Sequence, residues 1–275
     1  MIKNEIKNML PTAVLFLIRE INKFLVYYVK VPVFEYATSS GYIKGRYNQY
    51  LFFLPYIKGA KCIEIGGPTP LFRSRFPVYR DIKYLDEVNY SDLTFWRESV
   101  FHRNQYGLFG CIVENKYVAE ATDLTIIESE RYDLLISSNC LEHVANPIKA
   151  LFEFKRLVRK GGHILIILPN KNFNFDRRRS ITTFEHIKDD YEKSTGEDDL
   201  THLPEILENH DLTLDGGVGT REEFEERSMQ NFKNRCLHHH VFDRDLVAQI
   251  FRFVGVSAIL DYEIQSDYYF LGRRD

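Results

Sequence analysis

Apolar residues at Ile6, Leu10, Val14, Leu17, Ile21, Leu25 and Tyr28 recur at helical spacing. They predict an amphipathic helix within a mostly helical stretch over 1–55, broken by a loop near Thr38-Ser39-Ser40-Gly41. The pattern then changes. Lys61-Cys62-Ile63-Glu64-Ile65 is a short apolar run that stops at Gly66-Gly67-Pro68, which predicts a buried strand. A second strand ends at Tyr84-Leu85-Asp86, and Tyr132-Asp133-Leu134-Leu135-Ile136-Ser137 gives a third. Residues 90–120 are aromatic and show no clear period. Pro147 opens a helix to about Val158, closed by Lys160-Gly161-Gly162. His163 to Leu168 is a continuous apolar strand ending at Pro169. Strands that alternate with helices, with apolar runs buried on both faces, imply an α/β protein with a parallel sheet.

Residues 170–240 break this rhythm. They are polar, rich in His, Asp and Glu, and too long for a plain connection, which predicts a functional insertion. Asp243 caps a helix running to about Val254. Val256 to Ile264 and Asp267 to Leu271 then read as two strands joined at Gln265-Ser266, an antiparallel hairpin on the sheet edge. The expected organisation is a helical extension over 1–55 and an α/β domain over 56–275.

Composition narrows the function. The apolar fraction of 44% and charged fraction of 27% suit a packed chain rather than a disordered one. A net charge of −3 argues against a general nucleic-acid binder. Cys62, Cys111, Cys140 and Cys236 contain no CxxC pair, so neither a zinc ribbon nor a thioredoxin-type site is indicated. A reducing cytoplasm is the simpler assumption. Arg19, Glu20 and Lys23 interrupt the N-terminal stretch before the ~20 residues needed to span a bilayer. No small-residue cleavage site follows a clean apolar core, so no signal peptide is expected. That helix is expected to dock on protein. A membrane-peripheral or dimer contact is the alternative.

The first chemical constellation is Glu64-Ile65-Gly66-Gly67-Pro68 followed by Asp86. Glycines after a buried strand let backbone approach a ligand, because no Cβ intervenes. Ligands of open α/β sheets sit beyond the carboxyl ends of the strands, where an acid about 20 residues on can accept from ribose hydroxyls. The chain lacks a full GxGxxG and has no GxxxxGKS.

The second constellation is Ser138-Asn139-Cys140-Leu141-Glu142-His143-Val144 after the third strand, then Asn146-Pro147 and Lys160-Gly161-Gly162. In this order the chain resembles the class I S-adenosylmethionine-dependent methyltransferases of the small-molecule branch with an "LEH" signature. The likeness covers about 60–170 and, by architecture, 241–275. It implies a Rossmann-like, seven-stranded, mostly parallel sheet with a C-terminal antiparallel hairpin, and S-adenosyl-L-methionine as cofactor. The resemblance assigns Glu64, Gly66 and Gly67 to the methionine portion and ribose, and Asp86 to the ribose hydroxyls. It assigns Asp123 and Leu124 to adenine, and Ser138 and Asn139 to the methionine part and methyl group. Pro68-Thr69-Pro70 departs from the glycine-richer pattern of many relatives. Thr183-Phe184-Glu185-His186, the run from Gly196 to Glu205 and His238-His239-His240-Val241-Phe242-Asp243 are similar to stretches in a bacterial methyltransferase-domain subgroup. That subgroup is associated with glycan or surface-polysaccharide gene products.

A hydroxyl acceptor needs a positioned base during methyl transfer. His202 and His239 lead as candidates, and His143 in the signature is a third. The alternative is that these histidines fix the insertion through polar networks. A metal is set aside, because three histidines in a row point differently and cannot all ligate easily. Asp176-Arg177-Arg178-Arg179 reads as a solvated basic loop, with a phosphate or acidic sugar as the alternative partner. Tyr42, Tyr47, Trp96, Phe101 and Tyr106 are core residues or stacking surfaces for a sugar. The expected activity is O-methylation of a sugar or glycan hydroxyl on a small-molecule or glycan acceptor, the insertion covering the acceptor site. The alternatives are N-methylation of an amino sugar or amine, methylation of a lipid or quinone head group, and an inactive cofactor-binding scaffold in a glycan-assembly complex.

Overall fold

The computed structural model describes residues 41–92, 112–264 and 266–275. The helix expected over 6–28 and the aromatics Trp96, Phe101 and Tyr106 lie outside the described residues, as do the side chains of Tyr42 and Tyr47. The described residues divide into two compact units, one holding residues 41–52 and 70–77, the other 53–69 and 78–275. Helix α1, Gly41–Ile57, runs through both stretches of chain. In the smaller unit, Leu71–Arg75 makes one π-helical turn, closed by the Phe76 N–H donating to the Leu71 carbonyl at 2.9 Å. The Phe76 ring meets Tyr50 edge-on, with centroids 4.9 Å apart.

The larger unit is built on a seven-stranded sheet in the order β3-β2-β1-β4-β5-β7-β6. The strands are β1 Lys61–Ile65, β2 Tyr84–Asn89, β3 Ile112–Val118, β4 Tyr132–Ser138, β5 Val158–Pro169, β6 Val256–Ile264 and β7 Asp267–Arg274. Only β7 runs against the others. The remaining helices are α2 Val78–Asp81, α3 Pro147–Leu157, α4 Phe184–Lys193, α5 Leu203–Asn209, α6 Arg221–Met229, α7 Asn231–Asn234 and α8 Arg244–Val254.

One face of the sheet is a continuous core. Ile63, Ile65, Val88, Leu135, Ile164 and Ile166 join Phe154 and Leu157 of α3 and Leu246, Ile250 and Phe251 of α8. Each such side chain, once buried, contributes about 1.5–3 kcal/mol. The two helices have well-made ends. Asn146 accepts from the Lys149 N–H at 3.1 Å with Pro147 next, and Asp243 accepts from the Leu246 N–H at 2.8 Å.

Three boundaries differ from the sequence reading. β2 continues past Asp86 to Asn89, because Glu87 and Asn89 are buried and stay in register. α3 ends at Leu157, and Lys160-Gly161-Gly162 lies within β5, where the pairing with β4 is irregular. The hairpin does close one edge of the sheet, but β7 runs past Leu271 to Arg274, and as it lies between β5 and β6 its run from Tyr268 to Leu271 is buried as an interior strand requires.

Between β5 and α8 the insertion carries α4 to α7. It has a small apolar cluster of Ile206, Phe224 and Leu237, with Leu203, Leu207, Leu212 and Val218 packed on it. Among the described residues no helix is long and apolar enough to cross a membrane.

Candidate active site

The carboxyl ends of β1, β2, β3 and β4 and the first turn after β4 gather the residues singled out in the sequence. At β1, Glu64 is wholly buried. Its Oε1 accepts from the Thr69 N–H at 3.1 Å and its Oε2 from the Tyr79 hydroxyl at 2.6 Å. Burial pushes this carboxyl up to about 8, against the pull of those two donors. Gly66 has φ +80, where a side chain would be strained, and a Cβ there would lie 2.6 Å from Cys140 Sγ. A Cβ on Gly67 would fall 2.0 Å from the Glu64 carboxyl carbon. The turn is therefore glycine by necessity, seated on Glu64 and Cys140.

On β2 the two acids face opposite ways. Asp86 is wholly buried and both its oxygens are engaged. Oδ1 accepts from the Asn115 backbone N–H at 2.9 Å and side-chain amide at 3.0 Å. Oδ2 accepts from the Tyr132 hydroxyl at 2.6 Å and Arg131 at 3.3 Å. Protein donors thus occupy both oxygens of the Asp86 carboxylate. Glu87 pairs level with Glu64 and so shares its face, with Lys116 as an ion-pair partner. Glu87 is not among the residues expected from the sequence. Strand alternation relative to Glu64 was the signal that could have found it.

At β3 the Ala119 N–H donates to the Asn89 carbonyl at 3.0 Å, which sets Glu120 at the strand tip. Asp123 lies three residues on in an exposed turn, its Oδ1 accepting from Thr125 Oγ1 at 2.7 Å, a bond that lowers its pKa. Leu124 is wholly buried in the main core. Of these, Glu120 is the tip residue, and Arg235 from the insertion bonds it at 2.6 Å. The same guanidinium reaches Glu197 at 2.9 Å and lies 5.3 Å from the Tyr90 ring centroid. At β4, Ser138 is buried while Asn139 is exposed. Asn139 takes φ +48, and its N–H donates to Ile167 O at 3.0 Å.

Beyond that tip, Leu141–His143 forms a 3-10 turn. The insertion is stitched to it twice. His143 Nδ1 donates to the Leu237 carbonyl at 3.0 Å, and the His239 N–H donates to the Glu142 carbonyl at 2.8 Å. His238 Nδ1 is 2.5 Å from Asp176 Oδ2, and its ring meets His143 edge-on at 4.6 Å. A carboxylate only accepts, so Nδ1 carries a proton, and Nε2 holds the lone pair when the ring is neutral. Burial opposes the imidazolium, but the Asp176 charge outweighs it and raises the His238 pKa. Asp176 itself is held down at about 2: the attraction of His238 and Arg179 outweighs its burial. One donor atom each from Glu142, His143 and His238 lies within 4.8 Å of the others. Glu142 is buried, neither carboxylate oxygen has a hydrogen-bond partner, and burial pushes its pKa up to about 7.

The other two expected bases are engaged by polar side chains. His239 Nε2 accepts from the Asn231 amide at 3.1 Å, and burial with the nearby His202 lowers its pKa to about 4. His202 Nε2 lies 3.0 Å from His186 Nε2, and burial followed by His186 lowers its pKa. The basic loop also differs from expectation. Arg177 and Arg178 are about half exposed and pair with Asp211, but Arg179 is buried. Its guanidinium bonds Asp176, Glu205 and the carbonyls of His238 and His239, which a solvated loop residue would not do.

The strand order, the single reversed β7 and the glycine turn after β1 define a Rossmann-like class I methyltransferase fold. The sequence matches the methyltransferase domain family over residues 50–256, and the chain belongs to that family. It is an S-adenosylmethionine-dependent methyltransferase. No curated protein sequence matches it. Among solved structures, a SAM dependent methyltransferase from Aquifex aeolicus is 12% identical, over 83% of this chain and 89% of its own, with TM-score 0.45. An S-adenosylmethionine dependent methyltransferase from Mesorhizobium loti is 14% identical, over 84% and 100%, with TM-score 0.47. An O-methyltransferase family protein from Burkholderia thailandensis is 14% identical, over 85% and 57%, with TM-score 0.46.

Proposed function

We propose that this enzyme methylates a hydroxyl of a small polar acceptor, with a sugar as the favoured class and His238 as the base. The observation that carries this reading is the His238–Asp176 pair beside the signature turn, at 2.5 Å. A base whose far nitrogen is oriented by a buried carboxylate is the arrangement that proton removal from a hydroxyl requires. Glu142 supports a polyhydroxyl acceptor, because a buried carboxylate without a donor is satisfied by a ligand hydroxyl. His239 and His202 serve as packing and polar-network residues in this reading.

The donor set at the strand tips fits a nucleoside sulfonium. The glycine turn at Gly66-Gly67 takes the methionine portion and Asn139 lies beside it. Glu87 takes the ribose hydroxyls in place of Asp86, and Glu120 takes the adenine side in place of Asp123. When bound, S-adenosylmethionine supplies an electrophilic methyl group on a positively charged sulfur. His238 Nε2 takes the acceptor's hydroxyl proton, and Asp176 holds the resulting imidazolium. Arg179 keeps Asp176 ionised and in place.

The test is a set of single-turnover and steady-state assays on nucleotide sugars and oligosaccharides, reading the demethylated cofactor. His238→Ala should lower kcat by about 10²–10⁴-fold while calorimetric cofactor affinity stays within twofold of the wild type. Asp176→Asn should fall between. An amine acceptor would need no such base, so wild-type turnover from the His238 variant at a pH where the amine is neutral would favour N-methylation instead.

A further inference from the structure

Outside the active site, four side chains from three separate segments of the insertion converge. His186 and Asp190 stand one turn apart on α4, His202 immediately precedes α5, and His240 closes the histidine triplet. One donor atom from each lies within 4.8 Å of the other three. His186 Nε2 is 3.0 Å from His202 Nε2 and 3.3 Å from Asp190 Oδ2, and His240 Nε2 is 3.7 Å from that same oxygen. We propose that His186, Asp190, His202 and His240 bind one divalent transition-metal ion, with zinc the ion this donor set favours.

Size supports the assignment. Four ligands at ~2.0–2.2 Å around a tetrahedral ion stand ~3.3–3.6 Å from one another; the His186–Asp190 separation of 3.3 Å falls in that range and the His186–His202 separation of 3.0 Å lies just below it. Two further observations point to an absent cation. Asp190 is 8% exposed, yet its Oδ2 is buried with no hydrogen-bond partner. Its other oxygen accepts from Thr195 Oγ1 at 3.0 Å, which fixes the direction of the first. His240 Nε2 donates to the Ala145 carbonyl at 3.1 Å, while its Nδ1 is buried without a partner. A carbonyl on one ring nitrogen is the usual way a metal-binding imidazole is oriented for the other.

Three imidazoles and a carboxylate, without thiolate, suit zinc better than calcium or magnesium, which take oxygen ligands. With four protein ligands the ion's coordination is closed, so its role is to fasten rather than to activate water. It joins α4, the start of α5 and the 238–240 stretch, in an insertion whose own apolar cluster is small. From the sequence a metal is set aside because His238, His239 and His240, adjacent in the chain, cannot all ligate easily. The geometry needs only His240 from that triplet, and the partners come from up to 54 residues away in the chain, at His186.

The full chain, purified without chelator, should carry one zinc per chain by plasma mass spectrometry. Stripped of metal, it should rebind zinc in calorimetry, unfold at a higher temperature when loaded, and give the visible bands of four-coordinate cobalt when Co²⁺ is substituted. His186→Gln and Asp190→Asn should each weaken zinc binding by more than the roughly 10–100-fold that loss of an outer-shell partner costs. His186 is 42% exposed in its side chain, so its replacement leaves the fold intact for the measurement. His143→Gln, in the neighbouring Glu142–His143–His238 group, should leave zinc affinity unchanged. A stripped wild-type chain that binds neither zinc nor cobalt overturns the proposal. So does loss of the ion in the His143 variant but not in the His186 variant.

Discussion

The sheet and the insertion are buried to similar depth by different means. In β5, Leu165, Ile166 and Ile167 are wholly buried, and apolar contact is the main source of their stability. In the insertion, the bulkiest fully buried side chain among the described residues is Arg179, which makes five hydrogen bonds to two carboxylates and two carbonyls. His210 and Arg227 likewise share Asp215 there, at 3.1 and 2.9 Å. An aliphatic core tolerates a lost methyl group by partial collapse. A charged network does not, because removing one member strands the others without water.

This difference gives the largest expected effect. Arg179→Met should cost about 3–5 kcal/mol, the scale of a broken buried ion pair. Leu165→Ala should cost about 2–5 kcal/mol through its cavity. The two should separate by location rather than by size alone. Hydrogen exchange should accelerate across residues 176–240 in the Arg179 variant while the sheet amides stay protected, and should accelerate throughout in the Leu165 variant. Urea unfolding within about 1 kcal/mol of wild type for Arg179→Met would erase the contrast.

The sheet is not purely aliphatic, and its exception sharpens the comparison. Asp86 is a charged hub inside it, whereas Glu87 is the neighbouring acid on the Glu64 face. Glu87→Gln should weaken cofactor binding by about 1–3 kcal/mol, the value of a charged hydrogen bond, with little change in stability. Asp86→Asn should do the reverse, because it leaves Tyr132, Arg131 and Asn115 facing a weaker acceptor. Calorimetric titration with S-adenosylhomocysteine beside thermal unfolding separates the two. If Asp86→Asn lost the affinity and Glu87→Gln kept it, the ribose role would return to Asp86.

The same contrast explains what could be read from the chain alone. Strands β1, β4 and β5 announce themselves because apolar runs buried on both faces have no polar solution. The helices from Pro147 and from Arg244 show their caps in Asn146 and Asp243. The proposed cofactor acids differ from the expected ones by one-residue and three-residue ambiguities: Glu87 against Asp86, and Glu120 against Asp123. Local composition cannot settle these, because the face and the tip are fixed by pairing with β1 and β2. The insertion was legible only as polar. Helix α6, Arg-Glu-Glu-Phe-Glu-Glu-Arg-Ser-Met, has almost no apolar stripe, although Thr220 and Glu223 do form a capping box at its start. Arg179, His238 and Asp176 find one another across gaps of up to 62 residues, which no short-range pattern reveals.

The last effect is read as a slope with pH, and it tests whether the floor of the glycine turn behaves like the sheet or like the insertion. Glu64 is enclosed, and burial raises its carboxyl from 4.5 to about 8. The folded protein therefore holds a proton that the unfolded chain releases above about pH 4.5. A raised folded-state pKa gives stability that is complete below the unfolded value and is lost as the pH rises through the folded one. Between about pH 5 and 8 this one group should lower the unfolding free energy by up to ~1.4 kcal/mol per pH unit. Glu64→Gln has no proton to lose and keeps an acceptor for Tyr79 and Thr69. Its stability relative to wild type should therefore improve steadily from pH 5 to 8 in chemical denaturation. Parallel pH profiles for the two proteins would mean that Glu64 stays ionised when folded. The donors from Tyr79 and Thr69 would then outweigh burial, as Asp176 outweighs it beside His238 and Arg179.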